Sequence, residues 1–419
     1  MKKLLHCLLL ATTAIVLLSL QGCLKDDCRR TYTLYQPIYK TLKHVRAEMK
    51  STAPASLENT GKLNVFGNYI FLNEVGKGIH VIDNAVPASP KNIGFINIPN
   101  NVDLAIKGSY LYADSYSDII VFDISNPTNV KPVKFMDNVM KEKNVYWYPM
   151  LSNPDSIKVV VGYTTKDTTV DCNTYNTLYT TDNRALDAAL ASSSYAAAPS
   201  VGTGGSMASF TIINNFLYTV SASSLYTIDI SNPINPFKTA DRNMGWGIET
   251  IYPFQNKLFI GSRTGMFIYD LANPANPVQQ GQFNHVRSCD PVIADGQYAY
   301  VTLRGGTACN STINELNVID VSNLSNPVLK TRRTLTNPHG LAKDGNTLMI
   351  CDGKDGLKIY DAADPLNLKL VKTVAGLETF DVIAMNRKAI VVAKDGLYQY
   401  DYSDASNPSL ISKISVNKK

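Results

Sequence analysis

Residues 119–129 read IIVFDISNPTN, an apolar run that ends on Asp123 and continues into a turn built on Asn-Pro. Successive copies of this aspartate are 40, 106, 41, 50, 41 and 40 residues apart. A repeat of about 40 residues that holds several short strands is typical of a β-propeller, in which each repeat is one blade. We therefore predict an all-β fold, a β-propeller of four-stranded blades. Six further segments end an apolar run in the same way, at Asp83, Asp229, Asp270, Asp320, Asp361 and Asp401.

The repeated aspartate is better explained by structure than by catalysis. Its carboxylate can accept hydrogen bonds from backbone N–H groups of the turn that follows, while Asn-Pro fixes the reversal of the chain. Seven such aspartates, one in each repeat, are expected to close strands.

The gap of 106 residues leaves the number of blades open. Residues 145–171 can supply further strands, with Asp171 as a degenerate closing aspartate, and residues 173–206 form a low-complexity insertion rich in Thr, Ala, Ser and Gly. We expect that insertion in a surface loop, where length costs little. The propeller of residues 62–419 has eight blades if residues 145–171 form a blade, which we expect. It has seven if these residues lie outside the ring of blades.

The N-terminus has the pattern of an exported lipoprotein. Residues 1–22 hold two lysines and an apolar run too short for a membrane span, as in a secretory signal peptide. The following Cys23 completes a stretch, LQGC, that resembles a bacterial lipobox, which implies lipidation of Cys23. Residues 24–27 (LKDD) look like the export signal of surface lipoproteins in Bacteroidota. We expect an outer-membrane lipoprotein exposed on the cell surface; the alternative is ordinary cleavage that leaves Cys23 a plain thiol.

A tether is expected to join the lipid to the propeller. It covers residues 23–61 and contains a short helix in residues 41–50, where Leu42, Val45 and Met49 fall on one helical face.

The remaining cysteines suggest no metal site. There is no CxxC pair, so neither a zinc knuckle nor a thioredoxin-type site is supported. Cys289 and Cys309 lie in the same repeat, and they form either a disulfide or two buried free thiols.

The repeat resembles that of the LVIVD-repeat propellers. Residues 76–84 (GKGIHVIDN) and 114–118 (DSYSD) look like the lipoprotein branch of that family found in Bacteroidota. The resemblance covers roughly residues 62–415. It implies the fold, but it carries over no catalytic residue and no defined activity.

Several classes of function find no support in the sequence. Motifs of serine hydrolases, zinc proteases and nucleotide-binding proteins are missing, so we expect no cofactor and no metal. The net charge of +5 is mild and scattered, which argues against a nucleic-acid partner.

Alignment of the repeats on their second strands suggests a candidate site. It brings Asp103, Glu249, Asp290, His339 and Asp381 to similar levels at the start of the first strand. First strands line the central channel of a propeller, so these side chains could converge on its mouth and bind a cation or a hydroxyl-rich ligand. The alternative is ordinary solvated lining of the channel.

We expect a lipid-anchored binding or scaffold module of the cell envelope for a protein or glycan partner. The alternatives are a carbohydrate-active enzyme that uses carboxylates at the channel mouth, and an envelope assembly that docks through residues 173–206. An enzyme should place two carboxylates with perturbed pKa values in one pocket. A glycan binder should expose an aromatic ring, for which Trp147 and Trp246 are candidates, although both rings could instead pack in the core or between blades. A scaffold should expose an apolar patch.

Overall fold

The computed structural model describes residues 29–143, 157–171, 201–289, 291–306, 309 and 311–417. The chain divides into two compact units. The larger unit comprises residues 39–161 and 189–419, and the smaller comprises residues 1–38 and 162–188.

The described part of the larger unit is a propeller of seven blades, each built on four antiparallel strands that follow one another in the sequence, and the sheet of blade 1 carries one further short strand at each edge. Before them come β1 (Arg29–Thr41), α1 (Leu42–Ala47) and β2 (Ser51–Thr52). Blades 1 and 2 comprise β3 (Thr60–Phe66), β4 (Tyr69–Glu74), β5 (Gly78–Asp83), β6 (Lys91–Asn97), β7 (Leu104–Lys107), β8 (Tyr110–Ser115), β9 (Asp118–Asp123) and β10 (Lys131–Met136). A 3-10 turn (Lys141–Lys143), β11 (Lys158–Asp171) and β12 (Thr203–Gly204) follow.

The other five blades complete the ring in chain order. Blades 3 and 4 comprise β13 (Phe210–Ile213), β14 (Phe216–Val220), β15 (Ser224–Asp229), β16 (Phe237–Asn243), β17 (Ile248–Phe254), β18 (Lys257–Ser262), β19 (Gly265–Asp270) and β20 (Val278–Asn284). Blade 5 comprises β21 (Val292–Asp295), β22 (Tyr298–Leu303), β23 (Glu315–Asp320) and β24 (Val328–Thr334). Blades 6 and 7 comprise β25 (Leu341–Asp344), β26 (Thr347–Cys351), β27 (Leu357–Asp361), β28 (Lys369–Val374), β29 (Thr379–Met385), β30 (Lys388–Ala393), β31 (Gly396–Asp401) and β32 (Ser409–Ser415).

The preferred count of eight blades is wrong, and the alternative of seven is correct for the described residues. Residues 158–171 form one long strand, β11, which pairs with β1 in a two-stranded sheet. The stretch between Gly162 and Thr168 holds no Asn, Pro or second Gly that would reverse the chain, so strand propensity continues through it. Residues 144–156, which were expected to begin this blade, lie outside the described residues.

The predicted role of the repeated aspartates is confirmed. In six of the seven, Oδ1 accepts a hydrogen bond from the N–H two residues later, at 2.8–3.0 Å. In blade 2, Asn126 makes the same kind of hydrogen bond three residues later, since its Oδ1 accepts from the Thr128 N–H at 3.1 Å. Each carboxylate therefore closes a third strand and starts the reversal into the fourth.

Ring closure rests on side-chain packing between blades 1 and 7. Leu63 and Ile70 of blade 1 share a buried cluster with Ile383 and Val392 of blade 7. The two blades come from opposite ends of the described chain, and neither exchanges a strand with the other. Each blade thus buries its second face against a neighbour, as a sheet with two apolar faces requires.

The predicted short helix corresponds to α1. Its residues Leu42 and Val45, with Met49 just after it, are buried in one cluster with core residues of blades 1 and 2. Arg46 Nη2 donates to Asp118 at 2.7 Å, which ties the helix to blade 2.

The described residues of the smaller unit, 29–38 and 162–171, form a two-stranded ribbon of β1 and β11. The rings of Tyr35 and Tyr163 meet edge to face with centroids 6.4 Å apart, and Thr33 donates to Asp167 at 2.7 Å. Among the described residues, no helix has the length and apolar character needed to cross a bilayer.

Replacement of Asp123 should separate the hydrogen bond of the turn from the charge. Asp123→Ala should lower the free energy of unfolding by about 1 kcal/mol, because the Ser125 N–H loses its acceptor. Asp123→Asn keeps an acceptor oxygen, as Asn126 does one turn later, and should cost less. Urea unfolding of both variants measures the difference. Equal losses for Ala and Asn would contradict this role.

Candidate functional site

Two of the predicted site residues, Asp103 and Asp381, lie between the first strands, each with 1% of its surface exposed. Asp103 Oδ2 accepts hydrogen bonds from the Lys62 ammonium at 3.2 Å and from the Ser209 N–H and hydroxyl at 2.6 and 2.9 Å. Lys62 belongs to β3, Asp103 directly precedes β7 and Ser209 directly precedes β13. This carboxylate therefore joins blades 1, 2 and 3 at the axis.

The chain itself fills the space between the first strands. We call residues 201–209 (VGTGGSMAS) the axial segment; residues 205–209 are buried. The end of the 173–206 insertion is thus not a surface loop as expected, because its small Gly and Ser residues fit where the first strands converge. Residues 172–200 lie outside the described residues. The axial segment contacts four other blades. Its strand β12 pairs with β3 of blade 1, and the Gly202 N–H donates to the Ile106 carbonyl of blade 2. The Ile251 N–H of blade 4 donates to the Ala208 carbonyl, and the Leu341 N–H of blade 6 donates to the Ser206 hydroxyl.

Asp381 is held between two glycines. A Cβ atom added at either Gly205 or Gly340 would overlap its carboxylate, one at each oxygen. Neither oxygen makes a well-aligned hydrogen bond to a described residue, so the Val382 N–H is at most a weak contact. A buried carboxylate in such a position is costly to ionise.

The environment of Asp381 favours its neutral form. Burial raises its pKa to about 8; the Val382 N–H and the Lys62 ammonium lower it, and the Asp103 carboxylate raises it. At neutral pH, Asp381 is therefore mostly protonated. The axis holds two carboxylates with different environments, but the axial segment covers both.

Glu249 and His339 lie at the end of the propeller that carries the starts of the first strands and the turns between second and third strands, which we call the top face. Arg263 Nε donates to Glu249 at 2.8 Å, and Arg304 Nη1 lies 3.2 Å from His339 Nδ1. These four residues form what we call the top-face cluster. Arg263 and Arg304 come from the second-to-third connections of blades 4 and 5.

The two basic groups that meet in this cluster differ in charge. Burial, and then the Arg304 guanidinium, lower the pKa of His339 to about 3, so its imidazole is neutral. Burial also lowers the pKa of Arg304, while Glu249 opposes that shift, and the guanidinium stays charged. Since arginine can only donate, His339 Nδ1 must be the acceptor of this hydrogen bond.

A disulfide holds Arg304 in place. Of the two alternatives that the sequence left open, the structure contains the Cys289–Cys309 disulfide. Cys289 and Arg304 exchange both backbone hydrogen bonds, at 3.1 and 2.9 Å. The disulfide and these two hydrogen bonds therefore fix the main chain from which the Arg304 side chain extends.

Trp246 is the most exposed large apolar side chain of the described residues, at 84%. It lies between Gly245 and Gly247, both at φ 88°, a conformation that glycine adopts without strain. The Arg263 side chain packs over Gly247, and the Arg263 N–H donates to the Gly247 carbonyl at 2.7 Å. Trp246 thus stands directly beside the top-face cluster. The two flanking glycines allow the turn that displays this ring.

Other acids on the top face have a structural role. Each accepts hydrogen bonds from backbone N–H groups one to five residues before the first strand of its own blade, and so anchors the segment that leads into that strand. These acids and donors are Glu74 with Asn59, Asp114 with Asp103, and Asp352 with Asn337. Of the remaining predictions, Asp290, Cys23 and Trp147 lie outside the described residues.

Asp381 should give the protein a measurable pH dependence of stability. The pKa of Asp381 is about 8 in the folded protein and 3.8 in the unfolded chain. Its contribution to the free energy of unfolding is therefore complete below pH 4 and is lost as the pH rises to 8. Between these pH values the free energy of unfolding should fall by at most about 1.4 kcal/mol per pH unit, the slope expected when the folded state binds one proton more than the unfolded state. Asp381→Asn should remove this slope in urea unfolding between pH 4 and 8. Asp404 is an exposed turn acid with a lowered pKa, and the control variant Asp404→Asn should keep the slope. Parallel stability profiles for wild type and Asp381→Asn would refute the assignment to Asp381.

Comparison with known proteins supports the fold. The family model for the LVIVD repeat matches residues 100–135, 204–239 and 287–334, which fall on blades 2, 3 and 5. No curated protein matches the chain.

Several solved structures share the architecture. The computationally designed Ika8 protein is 8% identical with a TM-score of 0.53, and the match covers 88% of this chain and 92% of that one. A Lactobacillus plantarum protein is 12% identical with a TM-score of 0.53, covering 86% and 97%.

PorZ is a larger similar protein, a bacterial surface component of the type-IX secretion system of Porphyromonas gingivalis. It is 13% identical with a TM-score of 0.50, and the match covers 86% of this chain and 39% of PorZ. At such identities the likeness concerns the fold alone. The chain is a β-propeller that carries LVIVD repeats.

Proposed function

We propose that the protein is a lipid-anchored binding module of the cell envelope and that it recognises a glycan on the top face, beside Trp246. The observation that carries this proposal is the 84% exposure of the Trp246 side chain next to a hydrogen-bonding cluster. A flat apolar ring with charged groups at its side suits a sugar, which presents an apolar ring face and polar edges.

The loop that carries Trp246 is fixed at both ends. Met244 N–H donates to the Ser223 carbonyl at 2.7 Å, and Gly247 N–H donates to the Ala222 carbonyl at 2.9 Å. The ring is therefore displayed by a short, pinned connection between blades 3 and 4. Such preorganisation lowers the entropic cost of binding.

The alternative of a carbohydrate-active enzyme gains no support from the axis. Asp103 and Asp381 are buried, the donors around Asp103 satisfy its Oδ2, and the axial segment lies over both. A substrate could not reach these carboxylates without displacing residues 201–209.

A protein partner is the second candidate, and the ribbon of β1 and β11 favours it. Tyr35, Ile38, Tyr39 and Tyr163 of these strands each expose more than 40% of their surface. Exposed apolar side chains on a strand pair are a common basis for docking.

The Trp246→Ala variant tests the glycan site. Its affinity for a glycan selected on an array should fall at least tenfold, roughly, since truncated tryptophans at binding sites often cost that much. The melting temperature should not change, because the side chain is largely exposed. Phe237→Ala, which removes an exposed ring from the outer strand of blade 3, is the matched control. If the full chain selects no glycan, or if both variants bind alike, the proposal fails.

The proposed lipid anchor has its own test. Cys23→Ser should move the full-length protein from the membrane fraction to the soluble fraction and abolish labelling with a radioactive fatty acid. Protease added to intact cells should remove the wild-type protein if it lies on the outer surface. Membrane retention of Cys23→Ser would contradict lipidation at this residue.

A further inference from the structure

We propose that the glycan is acidic: the guanidinium of Arg304 binds the carboxylate of a uronic- or sialic-type sugar whose ring stacks on Trp246. This inference rests on the glycan-binding function proposed above and names its ligand class.

The charges around Trp246 favour an anion. Three arginines lie on this sector of the top face, namely Arg263, Arg304 and the exposed Arg287 in the turn before blade 5. The described acids nearby are already engaged: Glu249 binds Arg263 at 2.8 Å, and Glu315 lies 3.6 Å from Arg332. Positive charge is therefore in excess among the described residues beside Trp246.

Arg304 is placed to use that charge. Its guanidinium makes no ion pair within the 4.0 Å limit to a described carboxylate, and Glu249 acts on it only at longer range. One of its nitrogens is held by His339, which leaves other donors of the planar fork for a ligand. Burying a charged group without a charged partner is unfavourable, so an incoming carboxylate would supply the counter-charge that the described residues do not give this guanidinium.

His339 orients this guanidinium without competing for the ligand. It is 4% exposed and packs edge to face against Phe380, with ring centroids 5.3 Å apart. Because its imidazole is neutral and accepts from Arg304, it adds no charge that would repel the cation further. A neutral acceptor on one side of a guanidinium directs the remaining donors toward the other side.

Methyl β-glucuronide and methyl β-glucoside provide a matched pair of probes, since they differ only in the carboxylate. Calorimetric titration of the purified full chain should give tighter binding of the glucuronide by about 10- to 100-fold, the range expected for a charge-assisted hydrogen bond. Arg304→Gln should remove that preference and leave glucoside binding intact, while Arg304→Lys should restore part of it. Arg387→Gln, which removes a charge at the opposite end of the propeller, is the control and should behave as wild type.

The outcomes separate this inference from the proposed function. If Arg304→Gln keeps the preference for glucuronide while Trp246→Ala loses both sugars, the glycan site stands and the assignment to Arg304 is overturned. If wild type binds neither sugar, both proposals fall. If inorganic sulfate binds as tightly as glucuronide and needs Arg304 equally, the site is one for a free anion, and the acidic-sugar assignment is wrong.

Discussion

A four-stranded sheet with two apolar faces is stable only when other sheets cover both, and this constraint organises the propeller. Fully buried side chains such as Phe71, Tyr112 and Tyr300 fill the spaces between blades. Each blade therefore depends on two neighbours, and the first must meet the last, which it does through apolar packing and through hydrogen bonds between the side chains of Asn84 and Gln399. The same convergence brings seven first strands to one axis, where backbone and polar groups need partners.

The axis is completed by the chain's own residues 201–209, and this decides what chemistry the protein can do. Glycines allow the segment to pass beside Asp381, and the Ser209 N–H and hydroxyl satisfy Asp103. The two carboxylates thereby become part of the core. On the top face, a short turn fixed by backbone hydrogen bonds displays Trp246, and backbone hydrogen bonds to Cys289 hold the main chain at Arg304.

The sequence predicts those parts of the structure that depend on interactions between residues close together in the chain. The aspartate followed by Asn-Pro predicts the blades, because the turn depends only on neighbouring residues. Alignment of the repeats brought Asp103 and Asp381 to the start of the first strands, where Asp103 directly precedes β7 and Asp381 lies in β29. Two features depend on distant partners and could not be predicted: β11 pairs with β1 rather than within a blade, and a Gly/Ser-rich stretch packs at the axis although its composition resembles that of a surface loop. Nor does sequence alone decide whether Trp246 is exposed.

Residues 201–209 close the axis of the propeller, and we propose that recognition takes place on the top face. Hydrogen–deuterium exchange of the full chain, with and without methyl β-glucuronide, tests this most directly. We expect slow exchange at residues 205–209 that the sugar does not change, and new protection at residues 243–249 when the sugar binds. Rapid exchange at 205–209 that slows on binding would contradict the account, because it would place the ligand in an open channel.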